Sequence, residues 1–316
     1  MFTPTAGSGV TTTEAPVPVR VPRFTLDECR QSDSTFASVA FGNAIEYRVE
    51  PRALMVRTLL HLPRVAGHRG QVNERQIGNE LRHRAIDLQK DIATVRARRQ
   101  LPADKVELKD LRFVEFPAER ADLIFSRLHY LRSARPGSLN FALVDTATDR
   151  PYSLCSVSPL EWRLVGRQVW QQSGVAESAV WDVSRVFSFD LAPPNAISYL
   201  LGKVRSRFRT GTEGVKLLVT AVDPNLGFTG SSYRAANWES WMKVQARPYL
   251  YFDRRYASPR QLRTRFGTAN PAELKERLGH RFEQSRTRLL DSTIFACRVR
   301  GETEAVGAGD LRRLRR

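Results

Sequence analysis

The chain has 316 residues, with 50 Lys and Arg against 33 Asp and Glu, a formal net charge of +17, 41% hydrophobic residues and 26% charged ones. Such a length and composition suit one large or two modest globular domains and exclude a disordered chain, and no apolar run approaches the roughly 18 residues of a membrane span. The excess of positive charge, most of it arginine, points to a polyanionic partner, because a basic field draws phosphate and the guanidinium fork fits it.

Residues 1–23 are rich in Thr, Pro and Gly and are expected to form a flexible tail. Residues 24–109 read as an N-terminal extension, with extended segments at 36–41 and 53–62 and a long amphipathic helix over 71–99. In that helix Ile77, Leu81, Leu88, Ile92 and Val95 fall on one stripe, and Leu101-Pro102 ends it. From residue 110 to 300 strands and helices alternate. The pattern predicts a strand at 111–116, a helix over 117–130, an antiparallel pair at 138–144 and 152–157, and a strand at 180–187. A helix after Pro193-Pro194 and a buried strand at 215–222 follow. Next come a helix over 232–242, a strand at 249–252, two Arg-rich helices and a last strand at 293–299. Residues 301–316 form a basic tail, expected to fray. The three cysteines, Cys29, Cys155 and Cys297, make neither a zinc spacing nor a disulfide framework. With no signal-like N-terminus they imply a cytoplasmic protein without membrane association.

Ligands of open α/β sheets sit beyond the carboxyl ends of strands, so the polar residues around Arg185 and Asp223 are the first candidates. Asn195 is a natural N-cap whose helix leaves amides, and the Ser198 hydroxyl, free for an anion; an ordinary cap is the competing reading. Asp223 suits a general base, an acceptor for an exocyclic amine or a metal ligand, although Asp-Pro-Asn also forms turns. Gly227 and Gly230 relax the loop behind it. Tyr233 and Asn237 lie one helical turn apart, where a phenol can donate to developing charge, stack on a base or simply fill the core. His129 fits a base, a metal ligand or a helix-end packing residue. Arg185 fits a phosphate partner, an orienting group for Asp223 or a structural ion pair. Lys203, Arg205, Arg207, Arg209, Arg254, Arg255, Arg260, Arg263 and Arg265 follow a duplex backbone or are merely solvated.

The order of elements over 110–255 resembles the GNAT acyltransferase fold, in which two neighbouring parallel strands splay apart and donor and acceptor meet in the gap. That implies an α/β (α+β) chain: a GNAT-like mixed sheet flanked by helices, carrying the N-terminal helical and extended segments as an addition. Four blocks carry a narrower likeness: His129-Tyr130 in RLHYLRSARPGS, Ser184-Arg185 in WDVSRVFSF, Asn195 and Ser198 in APPNAISYLL, and TAVDPNLGFTGSSYRAANW. Together they resemble the Mom family, whose archetype carbamoylmethylates the exocyclic amine of adenine in phage DNA. The resemblance implies a transferase acting on a base flipped out of duplex DNA, protecting that DNA from restriction. It implies Asp223, Tyr233, His129 and Tyr130 as catalytic groups and Arg185, Asn195, Ser198, Gly227, Gly230 and Asn237 as substrate or cofactor contacts. His129 and Asp223 are the candidate ligands for a divalent metal such as iron. The group donor is unknown. Acyl-CoA is disfavoured, because Ala192-Pro193-Pro194-Asn195 stands where acetyl-CoA enzymes carry a Gly-rich loop. Phe228 follows Gly227 where relatives often carry His. The competing functions are an acetyl-CoA-dependent N-acyltransferase on a small molecule or protein, and a non-catalytic DNA-binding protein on a degenerate GNAT fold.

Overall fold

Strands that are apolar on both faces need a covering layer on each side, and the chain supplies two. The structure is a computed structural model that describes residues 23–211, 214–304, 306 and 311–315; the expected tail, apart from Arg23, lies outside them. The chain runs β1 (Arg23–Thr25), α1 (Leu26–Cys29), α2 (Thr35–Tyr47), α3 (Pro51–Val65), β2 (Gln71–Asn73), α4 (Glu74–Ala97), β3 (Leu111–Glu115) and α5 (Ala118–Arg127). Then come β4 (Leu139–Asp145), β5 (Pro151–Pro159), α6 (Arg163–Ser173), β6 (Val180–Ser188), α7 (Ala196–Gly211), β7 (Leu217–Val222), α8 (Ser231–Arg234) and β8 (Glu239–Val244). The last part is β9 (Leu250–Phe252), β10 (Arg255–Tyr256), α9 (Pro259–Phe266), α10 (Pro271–Leu278), β11 (Phe282–Gln284), β12 (Ser292–Arg298) and β13 (Arg312–Leu314).

Eight strands form one mixed sheet in the order β13-β8-β12-β7-β6-β5-β4-β3. Alternation along β4 sorts its side chains between the layers. Ala142 and Val144 join the core of α2 to α5, whereas Phe141 and Leu143 face α7. A third cluster packs Val165 and Val169 of α6 against Trp241, Met242 and Ile294. The pairing β6–β7 is parallel and holds only from Val180↔Leu217 to Asp182↔Val219. Beyond it the strands part, as expected of a GNAT-like sheet. β6 also carries a bulge. Val157 pairs with Val183 and Ser156 with Arg185, which leaves Ser184 out of register beside the parting.

Several elements differ from the sequence expectation. Segments 36–41 and 53–62 are helical, within α2 and α3. α3 is buried on nearly every side, from Ala53 to Arg64, so its apolar run shows no helical period to read. The helix expected over 232–242 shrinks to α8. Asn237 adopts a left-handed φ of 59°, and Trp241, Met242 and Val244 are claimed by the sheet as β8. The basic end of the chain does not fray over 312–314, where β13 pairs in parallel with β8 and buries Leu314. α6 and the strands β1, β2, β10 and β11 have no counterpart in the sequence expectation. No helix among the described residues is long and apolar enough to cross a membrane.

One buried carboxylate fastens the N-terminal helices to the sheet domain. Asp91 of α4 accepts from Arg57 of α3 at 2.9 Å and from Arg132 at 2.5 Å, with Arg127 at 3.6 Å. Arg57 also donates to the Arg127 carbonyl. Burial, with Arg132 alongside, pulls the Arg57 guanidinium down to about 10, while Asp91 works to keep it charged. Asp91→Ala should therefore lower stability by about 3–5 kcal/mol in a denaturant titration, because a charged Arg57 is left buried and unpaired. Gly230→Ala should cost several kcal/mol too. Its φ is 78°, and a Cβ would stand 2.4 Å from the Phe295 ring.

Candidate active site

The parting of β6 and β7 opens a cavity of about 460 Å³. Its walls are Val183, Ser184 and Val186 to Ser188 of β6, Thr220 to Val222 of β7, residues 226–233, and His129-Tyr130 just after α5. The N-terminal segment closes another side with Glu50, Arg52, Met55 and Val56. At the root of the gap the Tyr233 hydroxyl shares a hydrogen bond with Thr220, whose Oγ1 donates to the Val183 carbonyl at 2.9 Å. Burial pushes the Tyr233 phenol up to about 12, so it keeps its proton and remains a donor.

The expected site residues divide into three groups. His129, Tyr130, Gly227, Gly230 and Tyr233 line the cavity together. Asn195 and Ser198 line an adjoining depression of about 350 Å³, which shares Arg52, Ser231 and Ser232 with the cavity. Arg185, Asp223 and Asn237 line neither.

Asp223 is occupied locally. One carboxylate oxygen accepts from the Asn225 amide at 3.0 Å and from Asn225 Nδ2 at 2.7 Å, and the other accepts from the Tyr249 hydroxyl at 2.5 Å. Asn225 in turn accepts from Arg30 and Leu290, so this carboxylate belongs to the knot that holds the loop. Arg185 is engaged within the protein and makes no hydrogen bond to Asp223. Its guanidinium donates to the Ser133 and Ser184 carbonyls and to Ser133 Oγ, pinning the segment after Tyr130 to β6. Asn195 is not a side-chain N-cap of the usual kind. Its φ is 64°, and its carbonyl receives Ser198 Oγ at 2.9 Å and the Tyr199 amide at 2.9 Å. Asn237 ends the turn that leads into β8.

His129 is buried, and desolvation, reinforced by Arg185 and Arg57, drives its pKa well below the ordinary value. Its Nδ1 accepts from the Leu131 amide at 3.3 Å, which leaves the proton of the neutral ring on Nε2. The imidazole is thus a hydrogen-bond donor from Nε2 and not a base at Nδ1. It stacks on Tyr130 at 4.3 Å, and Tyr130 meets Phe228 at 5.8 Å, giving the cavity an aromatic wall. Among the described residues no group of three or more His, Cys, Asp or Glu is placed to hold a metal ion.

Sequence reading missed the carboxyl pair Glu50 and Asp190. Glu50 is the N-cap residue of α3, yet its side chain does not cap. Instead it reaches across to accept from the Asp190 amide at 2.7 Å. Asp190 accepts from the Arg52 amide at 3.2 Å and ion-pairs with its guanidinium at 3.4 Å. Burial and the neighbouring Asp190 charge raise Glu50 from 4.5 to about 7. No motif announced this pair, because its members are 140 residues apart and belong to different parts of the chain.

Among curated proteins none matches the chain in sequence. Its fold is similar to that of several solved acetyltransferases. Arabidopsis thaliana NAA60 in complex with acetyl-CoA is 12% identical with a TM-score of 0.36, covering 60% of this chain and 99% of that one. An aminoglycoside acetyltransferase from Legionella pneumophila is 8% identical with a TM-score of 0.30, covering 60% and 92%. A Staphylococcus aureus N-acetyltransferase is 8% identical with a TM-score of 0.29, covering 68% and 92%. Residues 110–290, more than half of the chain, match the Mom protein family. With the four motif blocks all inside that span, the chain belongs to the Mom protein family.

Proposed function

We propose that the chain is a transferase that adds a small group to the exocyclic amine of a base, adenine foremost, in duplex DNA. The observation that carries this reading, beside the family, is the cavity at the β6–β7 parting, where an aromatic wall and a high-pKa carboxyl group share one space. A base edge is hidden inside the duplex, so the base must be extruded to react. Tyr130 and Phe228 offer it a stacking surface.

The amine of adenine is a weak nucleophile, since its lone pair is delocalised into the ring. As its nitrogen forms the new bond to carbon, one N–H proton must leave, and the bond from the donor to its leaving group must break. Glu50 is the acceptor that fits that proton. A carboxyl poised near neutrality combines an ionised form with useful basicity. The Nε2–H of His129 suits oxygen charge on the transferred group, while the Tyr233 hydroxyl, whose proton goes to Thr220, holds the root of the gap. Asp223 is a positioning residue for the loop. The donor is a small activated molecule whose anionic end meets Arg52, Ser231 and Ser232 at the start of α7. Pro193 and Pro194 lack amide protons there, which disfavours a coenzyme A pyrophosphate.

Nucleoside mass spectrometry of DNA from cells expressing the chain should show a modified nucleoside. Glu50→Gln should cut its yield on the order of a hundredfold, whereas Asp223→Asn, which keeps turn-forming capacity, should cut it far less. Unmodified DNA in the presence of folded wild-type protein would overturn the function. Stability gives an independent check on Glu50. The folded chain holds the Glu50 proton to higher pH than the unfolded one, so stability falls as pH rises from about 4.5 through about 7. Denaturant titrations should find Glu50→Gln more stable than wild type at pH 8, by on the order of 1–2 kcal/mol, and indistinguishable from it near pH 4.

A further inference from the structure

Glu50 also borders a second depression, of about 450 Å³, whose other charged lining consists of four arginines. Arg48 stands at the end of α2, Arg96 in the last turn of α4, Arg99 just beyond it, and Arg150 in the turn between β4 and β5. Val49, Ile92, Leu101 and Leu191 give it an apolar floor. Among the described residues no carboxylate lies within ion-pairing distance of any of these four guanidinium groups.

The local acids are turned elsewhere. Asp149, next to Arg150 in sequence, is taken by Arg112 at 2.6 Å and Arg120 at 2.7 Å. Asp145, whose carboxyl Arg150 helps to lower, spends its oxygens on Thr148 and the Ala147 amide. Glu50 reaches for the Asp190 amide. Many other arginines are neutralised, including some expected to follow a duplex: Arg207 by Glu115, Arg255 by Asp87 and Arg260 by Glu161.

Arg48 and Arg99 hold left-handed φ values of 53° and 55°, at helix ends where glycine or asparagine is the usual occupant. The negative ends of α2 and α4 favour nearby cations. That accounts for Arg48 and Arg96, but it explains neither Arg150 nor the lack of an ion pair at any of the four among the described residues. Four like charges around one concavity repel unless an anion joins them.

We propose that this depression binds phosphate, with guanidinium forks on the phosphate oxygens and an apolar portion of the ligand on the floor. The site is separate from the start of α7 and does not rest on the transfer reaction. Its phosphate comes either from a phosphorylated small molecule or from the DNA backbone, and two probes distinguish these sources. Pyrophosphate binding can be followed by calorimetry and a duplex oligonucleotide by anisotropy across a salt series, with wild type, the double variant R96A/R99A and R48G. Arg96 and Arg99 are exposed, so their removal leaves the core intact.

Loss of pyrophosphate affinity by about tenfold or more in R96A/R99A supports the site with a small-molecule ligand. A drop in duplex affinity, with a salt slope reduced by about two, supports it with backbone phosphates as the ligand. R48G should weaken the same probe while raising the melting temperature, a pairing that a purely structural arginine would not give. Folded R96A/R99A that matches wild type with both probes overturns the proposal.

Discussion

Asp91 is the contact on which the site depends. The carboxylate is buried among Arg57, Arg127 and Arg132, so it ties α3 and α4 to the segment that follows α5. That segment carries His129 and Tyr130, and α3 begins beside Glu50, Arg52 and Met55. One ion cluster thus sets two opposing walls of the cavity relative to each other. A buried charge network is costly to assemble and costlier to break, which makes it a means of fixing geometry more than a source of net stability.

The second constraint is the parting of β6 and β7. Three paired residues hold the strands together, and the Thr220 to Val183 hydrogen bond closes the ladder where the gap begins. The Ser184 bulge turns β6 away, and Arg185, anchored to Ser133, keeps the turned strand in place. The matched span of the Mom family begins at residue 110, yet the carboxyl pair at the cavity needs Glu50 from before it and Asp190 from within it. The N-terminal helices share a continuous apolar core with β4, β5 and α5, so they are a wall of the site as much as an addition to it.

The net charge of +17 is distributed unevenly in kind as well as in place. Where arginines meet carboxylates they tie elements together, as Arg64 does with Glu80 and Glu283 or Arg313 with Asp291. Such pairs do structural work and leave little field for a partner. The charge available to a polyanion is the part that finds no acid, and the end of α4 holds a concentration of it.

Period and local chemistry were legible in the sequence wherever one face of an element is wet. The stripe of α4, the β4–β5 hairpin, the apolar β7 and the helix after Pro193-Pro194 all stand close to where patterning places them. The motif blocks likewise put His129, Tyr130, Gly227, Gly230 and Tyr233 around one cavity. What the sequence could not show is whatever depends on a distant partner. α3 is buried on nearly all sides and so has no period, and residues 239–244 became a strand because β12 and β13 were there to pair with them. Asp223 looked free until Tyr249 and Asn225 were folded against it. Glu50 carried no signal in the sequence, and only the fold brings Asp190 within its reach. Local propensity and periodicity are written in neighbouring residues, whereas the charge state and direction of a buried carboxylate are set by groups that only the folded chain brings near.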